Sequence, residues 1–244
     1  MFNRKLILKK THDYLAVKEP RLTVVFVHGI ASDSSSFANA IKYLEGTTSL
    51  RDVRFIAFDL LGSGKSHSDD KLNYDYKDQL TALHNSIEKL NIKTPLVLVG
   101  HSMGTLIVTR YANTYKKSVK HLILVSPPIY TTEDLENPAF AAAIKVFKDA
   151  VSVKNRNILD EKSFNNSMSK IVLDKKNYKT LAELKTHTTL IYGELDQFIA
   201  SYNIPKILKE NPKYLTAIKT IGRHSVSRDK YIKMVGVLEE ILNA

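Results

Sequence analysis

Gly100-His101-Ser102-Met103-Gly104 sets a serine midway between two glycines. The apolar run Leu96-Val97-Leu98-Val99 precedes it, and the stretch Thr105-Leu106-Ile107-Val108-Thr109-Arg110-Tyr111 follows it. A strand that turns sharply into a helix needs no side chains at those two glycine positions. Such a turn holds its central hydroxyl clear of the sheet, at a helix N-terminus where developing negative charge is favoured. A serine hydroxyl is a poor nucleophile until a neighbouring base takes its proton, so this chemistry requires a histidine, and an acid to orient it, elsewhere in the chain. A serine that merely caps the helix requires neither.

Both group types occur downstream of the serine, each just after a β-rich run. The run Thr188–Tyr192 leads into Gly193-Glu194-Leu195-Asp196, which offers Asp196, with Glu194 as its rival two residues earlier. The run Leu215–Ile221 leads into Gly222-Arg223-His224, which puts a histidine just ahead of the last amphipathic stretch. His12, His67, His84, His121 and His187 have no such placement at a strand end, while His28 and His101 belong to motifs of their own. The chemistry this predicts is a Ser102 nucleophile, a His224 base and an Asp196 acid.

A second motif competes. Asp59-Leu60-Leu61-Gly62-Ser63-Gly64-Lys65-Ser66 ends like a phosphate-binding loop, but that loop requires glycine five positions before its Gly-Lys-Ser, and the position is Asp59. The following His-Ser-Asp-Asp is acidic and turn-rich, where a phosphate loop opens directly into a helix. Gly62 and Gly64 are instead expected to let the chain turn tightly beside His28-Gly29.

These groups need a scaffold. Short β-rich runs are expected at Lys5–Lys9, Tyr14–Lys18, Thr23–Val27, Val53–Phe58, Leu96–Val99, His121–Val125, Thr188–Tyr192 and Leu215–Ile221. Several are apolar at every position, as strands covered on both faces must be, and helical patterns alternate with them. Phe37, Ile41 and Leu44 form one stripe; Tyr76, Leu80, Leu83, Ile87 and Leu90 a second; Tyr231, Met234, Val235, Leu238 and Ile241 a third. The reading is an α/β fold with a mostly parallel eight-stranded sheet, helices on both faces and an antiparallel edge from the first two strands. Between Pro127 and Lys185 the alternation stops and only helical stripes recur, Phe140, Ile144, Phe147 and Val151 among them. A structureless loop of that length is unusual, so an inserted helical cap is expected over residues 128–185, with the core made of 1–127 and 186–244.

Composition bounds the function. The 244 residues carry 36 basic and 25 acidic side chains, a formal charge of +11. The excess is spread along the chain, with no zinc-finger spacing or aromatic RNA-binding pattern, so no nucleic-acid partner is expected. No stretch is long and apolar enough to span a bilayer, and Leu6-Ile7-Leu8 between basic residues is too short for a secretory signal; a cytoplasmic protein without stable membrane insertion is expected. With no cysteine there is no thiolate nucleophile and no Cys-ligated metal.

Val27-His28-Gly29-Ile30, the Asp59-x-x-Gly62-x-Gly64-x-Ser66 loop, Gly100-His101-Ser102-Met103-Gly104, Gly193-x-x-Asp196 and His224 stand in the order seen in the α/β-hydrolase superfamily. The sequence resembles the small cap-bearing members of that superfamily, esterases and lipase-like enzymes among them. The resemblance implies an oxyanion hole from the backbone N–H groups of Ile30 and Met103, each such donor contributing about 2.7–4 kcal/mol to the transition state. It implies an acyl-enzyme on Ser102, a small-molecule ester as substrate, and no metal or organic cofactor. Phe140, Ile144 and Phe147 of the cap are candidates for the substrate pocket; packing of the cap onto the core is the competing use of that stripe. Thr105 replaces a second glycine common in relatives, and Arg223 replaces a small residue. His28-Gly29-Ile30-Ala31 lacks the extra glycines usual in C–C-bond hydrolases, and Ser102 excludes the aspartate nucleophile of dehalogenases. Thioester, lactone, amide or C–C-bond cleavage, or a non-catalytic binding protein on the same fold, are the alternatives.

Overall fold

Leu22–Val27 reads Leu-Thr-Val-Val-Phe-Val and every residue of it is buried, because the strand lies in the middle of a sheet covered on both faces. The computed structural model describes residues 6–66, 68–115, 119–154 and 160–244, with the backbone alone for 150–154. Its strands are β1 (Lys9–Tyr14), β2 (Leu22–Val27), β3 (Val53–Asp59), β4 (Leu96–His101), β5 (His121–Val125), β6 (His187–Gly193) and β7 (Leu215–Thr220). They form one sheet in the order β1-β3-β2-β4-β5-β6-β7, parallel throughout except for β1, which runs antiparallel along β3.

Among the described residues the sheet has seven strands, not eight. The two short strands expected at Lys5–Lys9 and Tyr14–Lys18 are replaced by a single one between them, β1, with residues 6–8 and 15–18 outside any strand and Lys5 outside the described residues. The reason is physical. Lys9-Lys10-Thr11-His12-Asp13-Tyr14 is almost wholly exposed and is held by its ladder to β3 and by Asp13, which takes two hydrogen bonds of 2.8 Å from Arg54. An edge strand of this kind needs no apolar face.

Helices α1 (Ala38–Glu45), α2 (Tyr76–Lys89), α3 (Met103–Thr114), α4 (Thr132–Glu136), α5 (Pro138–Lys154), α6 (Glu161–Ser167), α7 (Asn177–Ala182), α8 (Ile204–Glu210) and α9 (Arg228–Asn243) complete the chain. Side chains of β2 alternate between two cores. Val25 and Val27 pack with Leu83 of α2 and Ile107 of α3 on one face, and Val24 and Phe26 with Leu44 of α1 and Leu238 of α9 on the other. Helices α4 to α7 and a π-helical turn at Met168–Val172 fill the interval between β5 and β6, where the described residues contain no strand.

The order of strands creates the site's location. From β2 the chain crosses by α1 to β3 on one side, while from β4 it crosses by α3 to β5 on the other. Where crossovers diverge in this way, a crevice opens beyond the carboxyl ends of the two adjacent strands. His28-Gly29-Ile30 leaves the end of β2 there, and Ser102 leaves the end of β4.

Candidate active site

Ser102 has φ 50 and ψ −121, a backbone conformation that L side chains rarely adopt, between the last residue of β4 and the first of α3. Close packing makes this turn possible. A Cβ on Gly104 would lie 2.1 Å from the carbonyl oxygen of Val27, and one on Gly100 would lie 2.6 Å from the backbone of Gly104. The strand-to-helix turn therefore sits directly against the end of β2. A Cβ on Gly29 would come within 3.0 Å of Ser102 Cβ, so the loop after β2 touches the serine itself. The turn is secured by Ser102 N–H donating to Val125 O at 3.0 Å and by the Thr105 hydroxyl donating to Ser102 O at 2.6 Å. Thr105 thus supports the turn.

His28 holds the facing loop. Leu60 N–H donates to its Nε2 at 2.9 Å, so Nδ1 carries the proton and donates to Gly29 O at 2.8 Å. Full burial keeps this ring neutral. The glycine loop after β3 closes around a carboxylate: Asp59 accepts from Ser34 N–H at 2.9 Å and from Lys65 N–H at 2.8 Å. Within the loop, Ser63 N–H donates to Leu60 O at 3.1 Å and Ser66 N–H to Ser63 O at 3.0 Å, so the turn is tied to itself and to Asp59.

Asp196 and His224 come together from the ends of β6 and β7. His224 Nδ1 lies 3.0 Å from both Oδ1 and Oδ2 of Asp196, whose side chain is fully buried, while a quarter of the imidazole is exposed. Burial works to raise the Asp196 carboxyl, but the His224 hydrogen bond and charge, the Phe198 N–H at 3.0 Å and the Ser126 hydroxyl outweigh it and hold the group below its usual value. Asp196 is therefore ionised at neutral pH and accepts Nδ1–H, which leaves His224 Nε2 as the basic atom. Glu194 points elsewhere: it is exposed and pairs with Lys219 at 2.7 Å.

Ser102, His224 and Ile30 line one cavity of about 460 Å³, together with Phe140, Ile144 and Phe147 of α5. Val151, the last residue of that stripe, lies outside the residues whose side chains are described. No Lys, Arg, Asp or Glu among the described residues lines the cavity. Ile30 and Met103 both line a second, small void of about 10 Å³, and neither backbone N–H has a hydrogen-bond acceptor among the described residues. Ser102 Oγ likewise makes no hydrogen bond among them, a looseness common in active sites without substrate. The remaining histidines have other partners: His12 meets Glu45 at 2.6 Å, His84 stacks on Tyr115, His121 meets Thr189 at 3.0 Å, His187 packs on Tyr214, and His67 lies outside the described residues. No group of three or more His, Cys, Asp or Glu side chains that could hold a metal converges among the described residues.

Three neighbours of the pair carry no motif: Ser126, Phe198 and Lys230. Phe198 places its ring edge-on to His224 with 5.2 Å between centroids. Lys230 is completely buried. The one trace of it in the sequence is its spacing, four residues before Met234 on the apolar stripe of α9.

The family model described as alpha/beta hydrolase fold matches residues 23–177. The chain belongs to the α/β-hydrolase fold family. It is 36% identical over 129 residues to a probable lysophospholipase, BODYGUARD 5, of Arabidopsis thaliana, covering 52% of this chain and 29% of that protein. It is 26% identical over 223 residues to Lipase 1 of Psychrobacter immobilis, covering 78% of this chain and 67% of that one. Its fold superposes on an esterase from Exiguobacterium antarcticum with a TM-score of 0.71 at 18% identity, over 96% of this chain and 94% of the esterase. The matches span only 21% to 29% of the length of the plant lysophospholipase relatives. No helix among the described residues is long and apolar enough to cross a membrane.

Proposed function

We propose that the protein is a serine hydrolase that cleaves a carboxylic ester of a small molecule with an apolar acyl group, through an acyl-enzyme on Ser102. The observation that carries this reading is His224, which lines the same cavity as a serine held in a strained turn and is bonded through Nδ1 to the buried Asp196 carboxylate at 3.0 Å. His224 Nε2 takes the Ser102 proton as Oγ attacks the carbonyl carbon, and Asp196 holds the tautomer and balances the imidazolium that forms. Negative charge moves onto the carbonyl oxygen, where the N–H groups of Ile30 and Met103 receive it. Collapse breaks the carbon–oxygen bond to the alcohol, which leaves with the proton from His224. A water molecule then gives up a proton to the same nitrogen, attacks the acyl carbon and frees the acid and Ser102.

In this reading residues 128–185 form the cap and Phe140, Ile144 and Phe147 form the acyl wall. Absence of a charged side chain on the described lining favours a neutral acyl chain over a charged acyl group. A panel of p-nitrophenyl esters of increasing chain length tests this. Each methylene buried in the cavity contributes at most about 0.8 kcal/mol, about fourfold in kcat/KM, so activity should climb from acetate and then fall once the chain outgrows the space. Phe147→Ala should move the optimum to longer chains. Activity confined to acetate would exclude the acyl assignment; no ester turnover at all would exclude the ester.

A further inference from the structure

The first turn of α9 sends Lys230 into the core, on the same face as Met234 and Leu238, and the whole residue is buried. A buried ammonium costs several kcal/mol unless all its protons are taken. Here three acceptors meet its three donors: Ser126 Oγ at 2.7 Å, Ser225 O at 3.0 Å and the carbonyl of Arg223. Arg223 and Ser225 are the residues on either side of His224. The carbonyl of His224 itself accepts from His101 Nε2 at 2.8 Å. Three consecutive carbonyls of the histidine loop are thus held from below, two of them by one side chain. Burial, and then the charge of His224, pull His101 down to about 3, so it grips that carbonyl as a neutral donor.

The third contact reaches the other member of the pair. Ser126 stands just beyond β5 with φ 52, its N–H donating to Ile191 O at 2.9 Å, and its hydroxyl is among the groups that keep Asp196 ionised. Burial lowers Lys230 while the charges of Asp196 and Asp229 oppose that. Packing alone does not call for this lysine, since an unbranched apolar side chain fills a similar volume but leaves these three acceptors without a donor.

We propose that Lys230 is a positioning residue for the Asp196–His224 pair: its ammonium fixes the peptide groups flanking His224 and the hydroxyl beside Asp196 as one unit. This rests on the serine-hydrolase reading above. The test compares wild type with Lys230→Met by turnover of a p-nitrophenyl ester, with active sites counted by a fluorophosphonate, and by the downfield proton resonance of His224 Nδ1–H. The expected result is a fall of about 100-fold in kcat per active site, the scale of loss when a reacting group is misplaced by about 1 Å. KM should be little changed, and the resonance should broaden or disappear in a variant that is still folded and cooperative in its melt at the assay temperature. A folded Lys230→Met with wild-type kcat and resonance overturns the proposal. If that variant does not fold, Ser126→Ala, which leaves the ammonium two carbonyls, must lower kcat and disturb the same resonance; wild-type values in it overturn the proposal equally. The two readings fail separately. Wild type that is not labelled at Ser102 defeats the serine-hydrolase reading, while the resonance reports on Lys230 without any turnover.

Discussion

Ser102→Ala is expected to lower kcat/KM for any ester substrate by about 10⁴-fold or more and to abolish fluorophosphonate labelling, with Tm within about a degree of wild type. In the proposed mechanism Ser102 Oγ forms the acyl bond; in a characterised serine hydrolase, loss of the nucleophile costs about 10⁶-fold in kcat, and the residual activity comes from the oxyanion donors and binding. The unchanged Tm follows from this structure. Ser102 Oγ makes no hydrogen bond among the described residues, so nothing is left unpaired when it is removed. Alanine keeps the Cβ, so the strained φ of 50 is neither relieved nor worsened. An inactive variant that is also unfolded would show nothing about chemistry, which is why both numbers belong to the prediction. Circular dichroism melting and a labelling gel decide it: a labelled or active Ser102→Ala would remove Ser102 from the mechanism.

The parallel strands were legible because burial on both faces writes itself into the sequence as unbroken apolar runs. Leu96–Val99 is such a run and Val53–Phe58 is one but for Arg54, and the strands extend past these expected ends to Asp59 and His101 because the ladder continues into the residues that start the loops. The edge strand was illegible for the opposite reason. Its backbone is held by hydrogen bonds to β3 and its side chains face water, so the neighbouring apolar triplets Leu6-Ile7-Leu8 and Leu15-Ala16-Val17 drew the reading outward on both sides. In the candidate site, the places of Ser102, Asp196 and His224 just past strand ends were legible because each follows a β-rich run in the sequence. Lys230 was not, since lysine in Ser227-Arg228-Asp229-Lys230-Tyr231 reads as the solvated start of a helix. Position on a stripe carries information that residue type obscures: counted from Met234 and Leu238, Lys230 falls on the buried face. Ser126 had no signal of either kind, because a serine one residue past a strand is ordinary and only the fold brings β5 next to the loops after β6 and β7.

Asp196→Asn is expected to cost about 10⁴-fold in kcat, and Glu194→Gln less than about twofold, although the two acids are two residues apart in the same loop. Glu194 N–H prolongs the ladder by donating to Thr220 O at 2.8 Å, which turns its side chain out toward Lys219. Asp196 N–H turns back onto Gly193 O, and its carboxylate lies beneath the imidazole. An asparagine there can offer its NH₂ to His224 Nδ1, which then becomes the acceptor and shifts the proton to Nε2, the nitrogen that must be free to take the serine proton. The loss is therefore in kcat rather than KM, and labelling by a fluorophosphonate should slow in proportion. Unlike Ser102→Ala, this variant should also melt earlier, because the Asp196 charge is one of the two that compensate the buried Lys230 ammonium. The sign with pH is fixed by the lowered carboxyl: its contribution to stability is complete above the ordinary value near 3.8 and is lost as pH falls through the depressed one. The gap in Tm between wild type and Asp196→Asn should then be full at neutral pH and close on acidification below about 4. A large cost for Glu194→Gln with none for Asp196→Asn would reverse the assignment and, with it, the role given to every group that holds Asp196 in place.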